Sequence, residues 1–216
     1  MNINMNLLHD ITFYVMYGAA ALAAFVVVER SIFFGYSLRK ARKLVPAISA
    51  KVRSTEDLPS ELTAHDSLPL QLVSQIYEGR RQLSSHQELE DLSQAIYISM
   101  RGKLSHSMWI LEAVVAGAPL LGLLGTIMGI IDTFKALAEA GVSDPGEVSR
   151  GIGTALYATA LGISIALIGM VFNSHLQDRM ELINDHLKML LLRAGLGAQY
   201  VKPEPAVVSA GHPQTA

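Results

Sequence analysis

Long uncharged apolar windows alternate with polar stretches along this chain. Three windows contain no Asp, Glu, Lys or Arg: Ile11–Val28, Ala113–Ile131 and Gly151–Gln177. Each is close to the ~20 residues that a helix needs to cross a bilayer. The pattern therefore predicts an all-α fold with three transmembrane helices, whose two termini lie on opposite sides of the membrane.

Helical periodicity continues after the first window and is also present before the second window. After the first window, apolar residues recur among basic ones at Leu38, Ala41, Val45, Ile48 and Val52, which predicts an amphipathic extension. Ser54–Pro69 is rich in Ser, Thr, Asp and Pro and is predicted to be a loop. Ser85 and Glu88 have the spacing of a capping box. From there Leu89, Leu92, Ile96, Met100 and Leu104 recur at helical spacing up to Trp109 and the second span, and this helix would reach Phe134 if it is unbroken.

The third helix has a predicted start and end. Asp144, Pro145 and Glu147 suit its cap, first and third positions. Beyond the third span, which is predicted to end at residue 174, the apolar spacing continues through Leu176, Met180, Ile183, Leu187 and Leu190. Gly195 and Gly197 are predicted to end this helix, and the Pro-rich tail after them is predicted to be disordered.

Orientation follows from the basic residues. The chain has no Lys or Arg before Arg30, ten from Arg39 to Lys103, two beside the loop after the second window and four after the third. Because basic residues accumulate on the cytoplasmic side, the N-terminus is predicted outside and the C-terminus inside. The predicted segments are 1–34 (N-terminus and first span), 35–108 (cytoplasmic helical loop), 109–134 (second span), 135–147 (outside loop), 148–174 (third span), 175–198 (cytoplasmic extension) and 199–216 (tail).

Composition narrows the functional classes. Half of the 216 residues are hydrophobic, the formal net charge is −2 and cysteine is absent. The charge disfavours a nucleic-acid partner, and the scattered histidines and missing thiolates predict no metal site and no cofactor. No phosphate loop, dinucleotide fingerprint or Ser, His and acid arrangement is present, so the chain is not predicted to be an enzyme.

Small residues form one stripe on each of the last two spans. The second span carries Ala118, Gly122, Thr126, Gly129 and Thr133, and the third carries Gly151, Ala155, Ala158, Gly162, Ala166, Gly169 and Asn173, with Thr159 beside it. Such stripes let membrane helices approach closely, and buried neighbours compensate the backbone disturbed by Pro119. They predict close packing and an oligomer. The threonines have two open interpretations: a hydroxyl-lined path, or hydroxyls bonded back to their own helix.

These residues also resemble a known family. The segments "APLLGLLGTIMGIIDTF" and "GIGTALYATALGISIALIGMVFN" are similar to the paired second and third spans of the MotA/TolQ/ExbB proton-channel family, and "ERSIFF" adds a weaker likeness after the first span. The three-span order with the N-terminus outside resembles the ExbB and TolQ members. The resemblance extends over about residues 18–193 and is carried mainly by Pro, Gly and Thr at fixed offsets.

The resemblance implies an inner-membrane homo-oligomer, a pentamer in ExbB-like relatives. Its second and third spans would line a space for single-span partners of ExbD or TolR type, and proton flow there would drive TonB or TolA. Thr126 and Thr159 match the hydroxyls that face the partner's aspartate, with Thr133 and Thr154 as further lining candidates. Thr154 stands where many relatives carry an acidic residue, so an intrinsic carboxylate relay is not expected there.

Two carboxylates near the predicted membrane boundaries have open roles. Glu112, one turn from Trp109, is either a proton exit group or an interfacial side chain that reaches the headgroups. Asp132 either attracts cations to the outer mouth or is a solvated charge at a helix end. The expectation is an ExbB-like subunit with a TonB-like protein downstream. The alternatives are a TolQ-like subunit for envelope integrity and a membrane scaffold that conducts nothing.

Overall fold

The computed structural model describes residues 5–48, 52, 54–83, 85–140 and 145–196. Six α-helices lie in these residues: α1 (Met5–Ala47), α2 (Ser60–Thr63), α3 (Leu68–Gln82), α4 (His86–Ser105), α5 (Met108–Ala140) and α6 (Pro145–Leu196). A short 3₁₀ helix covers Thr55–Asp57. The predicted all-α class is confirmed for this part of the chain.

Within the described residues, three helices are long and apolar enough to cross a membrane: the stretches Ile11–Ala47 of α1, Met108–Ala138 of α5 and Pro145–Gly195 of α6. α6 alone has 52 residues, whereas a span needs only ~20. The bulky residues opposite the small stripes are exposed in the isolated chain, as expected for side chains that face lipid or another subunit. On α5 they are Leu120, Leu124, Ile127 and Ile131, and on α6 they include Leu156, Ile163, Leu167 and Met170.

Two helix starts agree with the sequence. Glu88 accepts a hydrogen bond from the Ser85 backbone N–H at 3.3 Å, and the Ser85 hydroxyl accepts one from the Gln87 N–H at 3.3 Å. This confirms the predicted cap of α4. α6 begins at Pro145, as predicted. The proposed cap Asp144, the proposed stop Gly197 and the tail lie outside the described residues.

The loop predicted for Ser54–Pro69 is wrong in part, because it contains the 3₁₀ turn, α2 and the first residues of α3. Helix α3 was not predicted at all. Its signal is present in the sequence: Ser67 precedes it, Pro69 lies in its first turn, and the apolar residues recur at helical spacing. The buried set is Leu68, Leu72, Val73, Ile76 and Tyr77. Burial raises the pKa of Tyr77, and the Arg80 charge opposes this shift.

The helical spacing from Ser85 to Phe134 does not form one unbroken helix. α4 ends at Ser105 and α5 begins at Met108, and Ser107 between them has φ 69°. A serine at positive φ closes the first helix because the right-handed helical hydrogen-bond pattern cannot continue through a left-handed residue. The apolar spacing runs through this point, so local periodicity gave no indication of the break.

The chain divides into two compact units. The membrane unit comprises residues 1–39 and 99–185, and it holds the uncharged windows. The second unit comprises residues 40–98 and 186–216. Within the second unit, Arg193 donates to the Val45 carbonyl at 2.6 Å, Lys40 donates to the Glu61 carbonyl at 3.2 Å, and the Lys188 ammonium lies 5.9 Å from the centre of the Tyr97 ring.

Candidate functional site

The candidate site lies where α5 and α6 pack against each other through glycine. A methyl group built on Gly122 would lie 2.9 Å from the Ala158 carbonyl oxygen and 3.3 Å from the Gly162 Cα. One built on Gly162 would lie 2.5 Å from the Ala118 carbonyl oxygen. Real Cβ atoms do not approach backbone oxygens this closely, so both positions require glycine. The two backbones are therefore in direct contact.

This contact revises one interpretation of the small stripes. The sequence indicated helix packing in an oligomer, but Gly122 and Gly162 already meet inside one chain. Only residues 141–144 separate α5 from α6 in the sequence, and helices joined by so few residues pack as antiparallel neighbours. These glycines therefore need no second copy to explain them.

Other stripe residues follow the same seam, which we define as the α5–α6 contact surface. Gly129 is buried, and a methyl group on Gly169 would lie 2.8 Å from a Val115 methyl group. Ala166 and Pro119 are half-buried. Near the other end, a methyl group on Gly151 would collide with the Thr133 side chain. The seam thus continues along most of the apolar part of both helices.

Thr126 and Thr159 meet at the middle of the seam. Their hydroxyl groups are in mutual hydrogen-bond contact across the two helices. The Thr126 hydroxyl is also 3.0 Å from the Ala155 carbonyl oxygen and 3.2 Å from that of Gly122, and the Thr159 hydroxyl is 3.1 Å from the Gly122 carbonyl oxygen. The missing side chain of Gly122 gives Thr159 access to that carbonyl. Both threonines are half-buried.

The two hydroxyls form a small polar centre without charge. They carry two protons and face three acceptors: the Gly122 carbonyl, the Ala155 carbonyl and each other. Either one hydroxyl donates its proton to the other, or both donate to carbonyl oxygens and no proton lies between the two hydroxyl oxygens. In both arrangements each hydroxyl oxygen keeps a lone pair that can accept from a further donor. The pair can therefore accept a hydrogen bond from a protonated carboxyl group, but it cannot itself hold a charge at neutral pH.

The remaining threonine candidates lie apart from this pair. The Thr133 hydroxyl donates to the Gly129 carbonyl at 2.8 Å and is half-buried. Thr154 is exposed, and its hydroxyl donates to the Arg150 carbonyl at 3.0 Å. Both bonds return to the residue's own helix, which is the structural interpretation that the sequence left open.

The two carboxylate candidates lie at opposite ends of α5. Glu112 is exposed and accepts a hydrogen bond from the Gln177 side-chain amide at 3.1 Å, so it links α5 to α6. Asp132 is half-buried. Thr126 lies between them along α5, and neither carboxylate has a described hydrogen bond to the threonine pair.

Sequence reasoning missed one neighbour of the seam. Thr12 of α1 is buried, and its methyl group would lie 3.7 Å from a methyl group built on Gly125. A methyl group on Gly125 would also lie 2.8 Å from the Ala158 Cβ. Thr12 therefore brings α1 against the seam beside the hydroxyl pair. Its signal was a lone hydroxyl residue at the start of an uncharged window.

Comparison with known proteins agrees with this architecture. Residues 69–189, more than half of the chain, match the model of the MotA/TolQ/ExbB proton channel family. A putative biopolymer transport protein ExbB homolog of Methanothermobacter thermautotrophicus is 33% identical over 103 residues, which are 48% of this chain and 36% of that protein. Biopolymer transport protein ExbB of Aquifex aeolicus is 36% identical over 79 residues, which are 37% of this chain and 53% of that protein.

A third relative comes from the other named branch. Tol-Pal system protein TolQ of Pseudomonas aeruginosa is 25% identical over 180 residues, which are 76% of this chain and 77% of that protein. By contrast, this chain matches the two ExbB relatives over only about a third to a half of their length. The family match includes α5 and most of α6, which carry the glycine seam and the threonine pair. This chain is a multi-pass membrane protein that belongs to the MotA/TolQ/ExbB proton channel family.

Proposed function

We propose that this chain is the ExbB-type subunit of a proton-driven complex in the bacterial inner membrane, which passes energy to a TonB-like protein for uptake across the outer membrane. The observation that carries the proposal is the contact between the Thr126 and Thr159 hydroxyls in the glycine seam. The pair places hydroxyl oxygens that can accept a further hydrogen bond between two closely packed apolar helices, so it can solvate a proton carrier that a partner span brings there.

The proton carrier in this proposal comes from a partner. The uncharged windows of α5 and α6 contain no carboxylate and no lysine, and their histidine, His175, lies near one end. No group near the bilayer centre of these spans can take up and release a proton at neutral pH. An ExbD-like single-span protein would supply an aspartate, whose protonated form donates a hydrogen bond to the threonine pair.

The assembly would be a homo-oligomer, proposed to be a pentamer, that surrounds the partner spans. Exposed apolar side chains along α1, α5 and α6 leave ample surface for lipid and for further copies of the chain. Glu112 and Asp132, at opposite ends of α5, would mark the two ends of the proton route.

A liposome experiment tests the proposal. Proton flux is expected to stay at the background of empty liposomes when the subunit is reconstituted alone, and to rise when an ExbD-like partner is included. Replacing the aspartate in the partner's membrane span by Asn should return the flux to background. Equal flux with and without the partner would contradict a borrowed proton carrier. Background flux in both cases would favour the non-conducting scaffold.

A TolQ-like role in envelope integrity is the second candidate. The alignment with the Pseudomonas aeruginosa TolQ protein covers 76% of the chain, nearly the same share as the 75% for the ExbB protein of Pseudomonas putida. Complementation separates the two roles. An ExbB-type subunit should restore TonB-dependent uptake in a strain that lacks its own energising subunit. A TolQ-type subunit should instead restore resistance to detergent.

The proposed topology has its own test. A cysteine at Ser60, the first residue of α2, should react with a membrane-impermeant reagent only after the membrane is opened, because residues 35–108 are proposed to be cytoplasmic. A cysteine at Ser143, outside the described residues, should react in intact cells. The same chain without introduced cysteine is a clean control, since the sequence has none. Labelling of both positions from outside would contradict this orientation.

A further inference from the structure

The break between α4 and α5 lies beside a buried arginine. Ser107 is the one non-glycine residue with positive φ in the described part of the chain. This left-handed conformation is unfavourable for a residue with a Cβ atom, and serine lacks the tolerance of asparagine or glycine. Since the apolar spacing would also allow a continuous helix, some contact must favour the break.

Arg30 of α1 provides that contact. Its guanidinium donates a hydrogen bond to the Ser107 hydroxyl oxygen at 3.1 Å. The same hydroxyl is 2.9 Å from His106 Nδ1, so it can accept from Arg30 and donate to an unprotonated Nδ1. The two residues of the break are thus tied to a helix more than 70 positions earlier in the chain.

Arg30 is itself held firmly. Only 6% of its surface is exposed, and it lies two residues after the uncharged window of α1. Its Nε lies 3.0 Å from the Glu29 carboxylate, and the guanidinium carbon lies 5.4 Å from the centre of the Phe33 ring. Glu29 compensates part of the charge and the ring supports the guanidinium plane, whereas the buried Nε makes no hydrogen bond to a described residue.

We propose that Arg30 is a positioning residue that holds the α4–α5 break in place through Ser107. The bond stabilises the left-handed conformation at Ser107 and sets where α5 begins relative to α1. Thr126 lies on α5, so the position of the threonine pair in the membrane unit depends on that start. The structural role does not require proton conduction, whereas its consequence for activity rests on the proposed function.

Four variants separate this role from a general effect on packing. Ser107→Ala keeps the Cβ atom and removes the acceptor for Arg30. Ser107→Asn supplies an amide oxygen and tolerates positive φ, so it should conserve both the bond and the break. Ser107→Gly removes the acceptor but adopts positive φ without strain and disfavours a continuous helix, so the break should persist without Arg30. Arg30→Gln removes the buried cation.

Hydrogen exchange at the Met108 and Trp109 amides reports the break directly. At the start of α5 these amides have no carbonyl partner one turn earlier in the same helix, whereas a continuous helix would give them one. In the full complex with the partner subunit, Ser107→Ala and Arg30→Gln are expected to slow exchange at both amides by on the order of fivefold, the equivalent of the roughly 1 kcal/mol cost of a left-handed residue. Ser107→Asn and Ser107→Gly should match the unmodified chain.

The double variant Arg30→Gln/Ser107→Gly is the decisive case. If Arg30 acts through Ser107, the glycine should restore rapid exchange and partner-dependent proton flux to a chain that Arg30→Gln had impaired. Unchanged exchange in both Arg30→Gln and Ser107→Ala would overturn the proposal, as would a failure of the glycine to rescue Arg30→Gln. Absence of flux in the unmodified complex, with the exchange pattern as expected, would instead contradict only the proposed function.

Discussion

Replacing Gly162 by alanine is expected to lower the thermal unfolding temperature of the purified protein, whereas Gly153→Ala on the same helix is expected to leave it unchanged or raise it. Alanine is the better helix former at both positions by about 1 kcal/mol. The two positions differ in the atoms that surround the added methyl group. A methyl group on Gly162 would lie 2.5 Å from the Ala118 carbonyl oxygen, and one on Gly153 would meet nothing within 4 Å. Overpacking of this kind costs about 1–3 kcal/mol.

Thermal unfolding in detergent would measure this difference in unfolding temperature, and size-exclusion chromatography of the same samples would report the state of the oligomer. Gly122→Ala should behave like Gly162→Ala, because its methyl group would lie 2.9 Å from the Ala158 carbonyl oxygen on the facing helix. If both variants dissociate the oligomer but leave the unfolding of the subunit unchanged, the contact lies between copies of the chain and not inside one chain. Equal unfolding temperatures for Gly162→Ala and Gly153→Ala would show that the seam can open at little cost.

Thr159→Val is expected to reduce partner-dependent proton flux by about tenfold while the complex still assembles. Valine has nearly the shape of threonine but lacks the hydroxyl, so the seam should stay packed while the polar centre loses one of its two groups. A single hydrogen bond to the transferring carboxyl group contributes about 1.5 kcal/mol, which corresponds to a factor of about ten. Thr126→Val should give a similar loss, because the two hydroxyls are in contact.

Thr159→Ser should retain most of the flux, because it keeps the hydroxyl and loses only a methyl group. Ser164→Ala is a matched control on the same helix: Ser164 is exposed, and its hydroxyl donates to the Ala160 carbonyl at 2.8 Å, away from the seam. Flux and assembly should be measured in the same liposome preparations. Full flux in the Thr159→Val complex would exclude a role for the hydroxyl pair and leave these threonines as packing residues.

Much of the membrane architecture was predictable because its causes are local in sequence. The uncharged windows identified the three long helices, and the Ser85 and Glu88 spacing identified the start of α4. The small stripes on the second and third spans also named most of the seam, since residues three and four apart share a helix face whatever lies opposite. Helix α3 has the same kind of local signal, with Ser67 before it and a proline in its first turn.

The sequence did not predict which residues those helix faces contact, because contact between distant segments is fixed by how the helices pack. Periodicity indicated that Gly122 and Gly162 meet a neighbour, but the tertiary structure decided that they meet each other within one chain. At the break, the Ser107 hydroxyl accepts a hydrogen bond from Arg30, which lies on another helix, and the apolar spacing gave no indication of this contact. Sequence spacing determined which faces are small, apolar or polar, and the close approach of the backbones determined which hydroxyl, carbonyl and guanidinium groups lie within hydrogen-bonding distance.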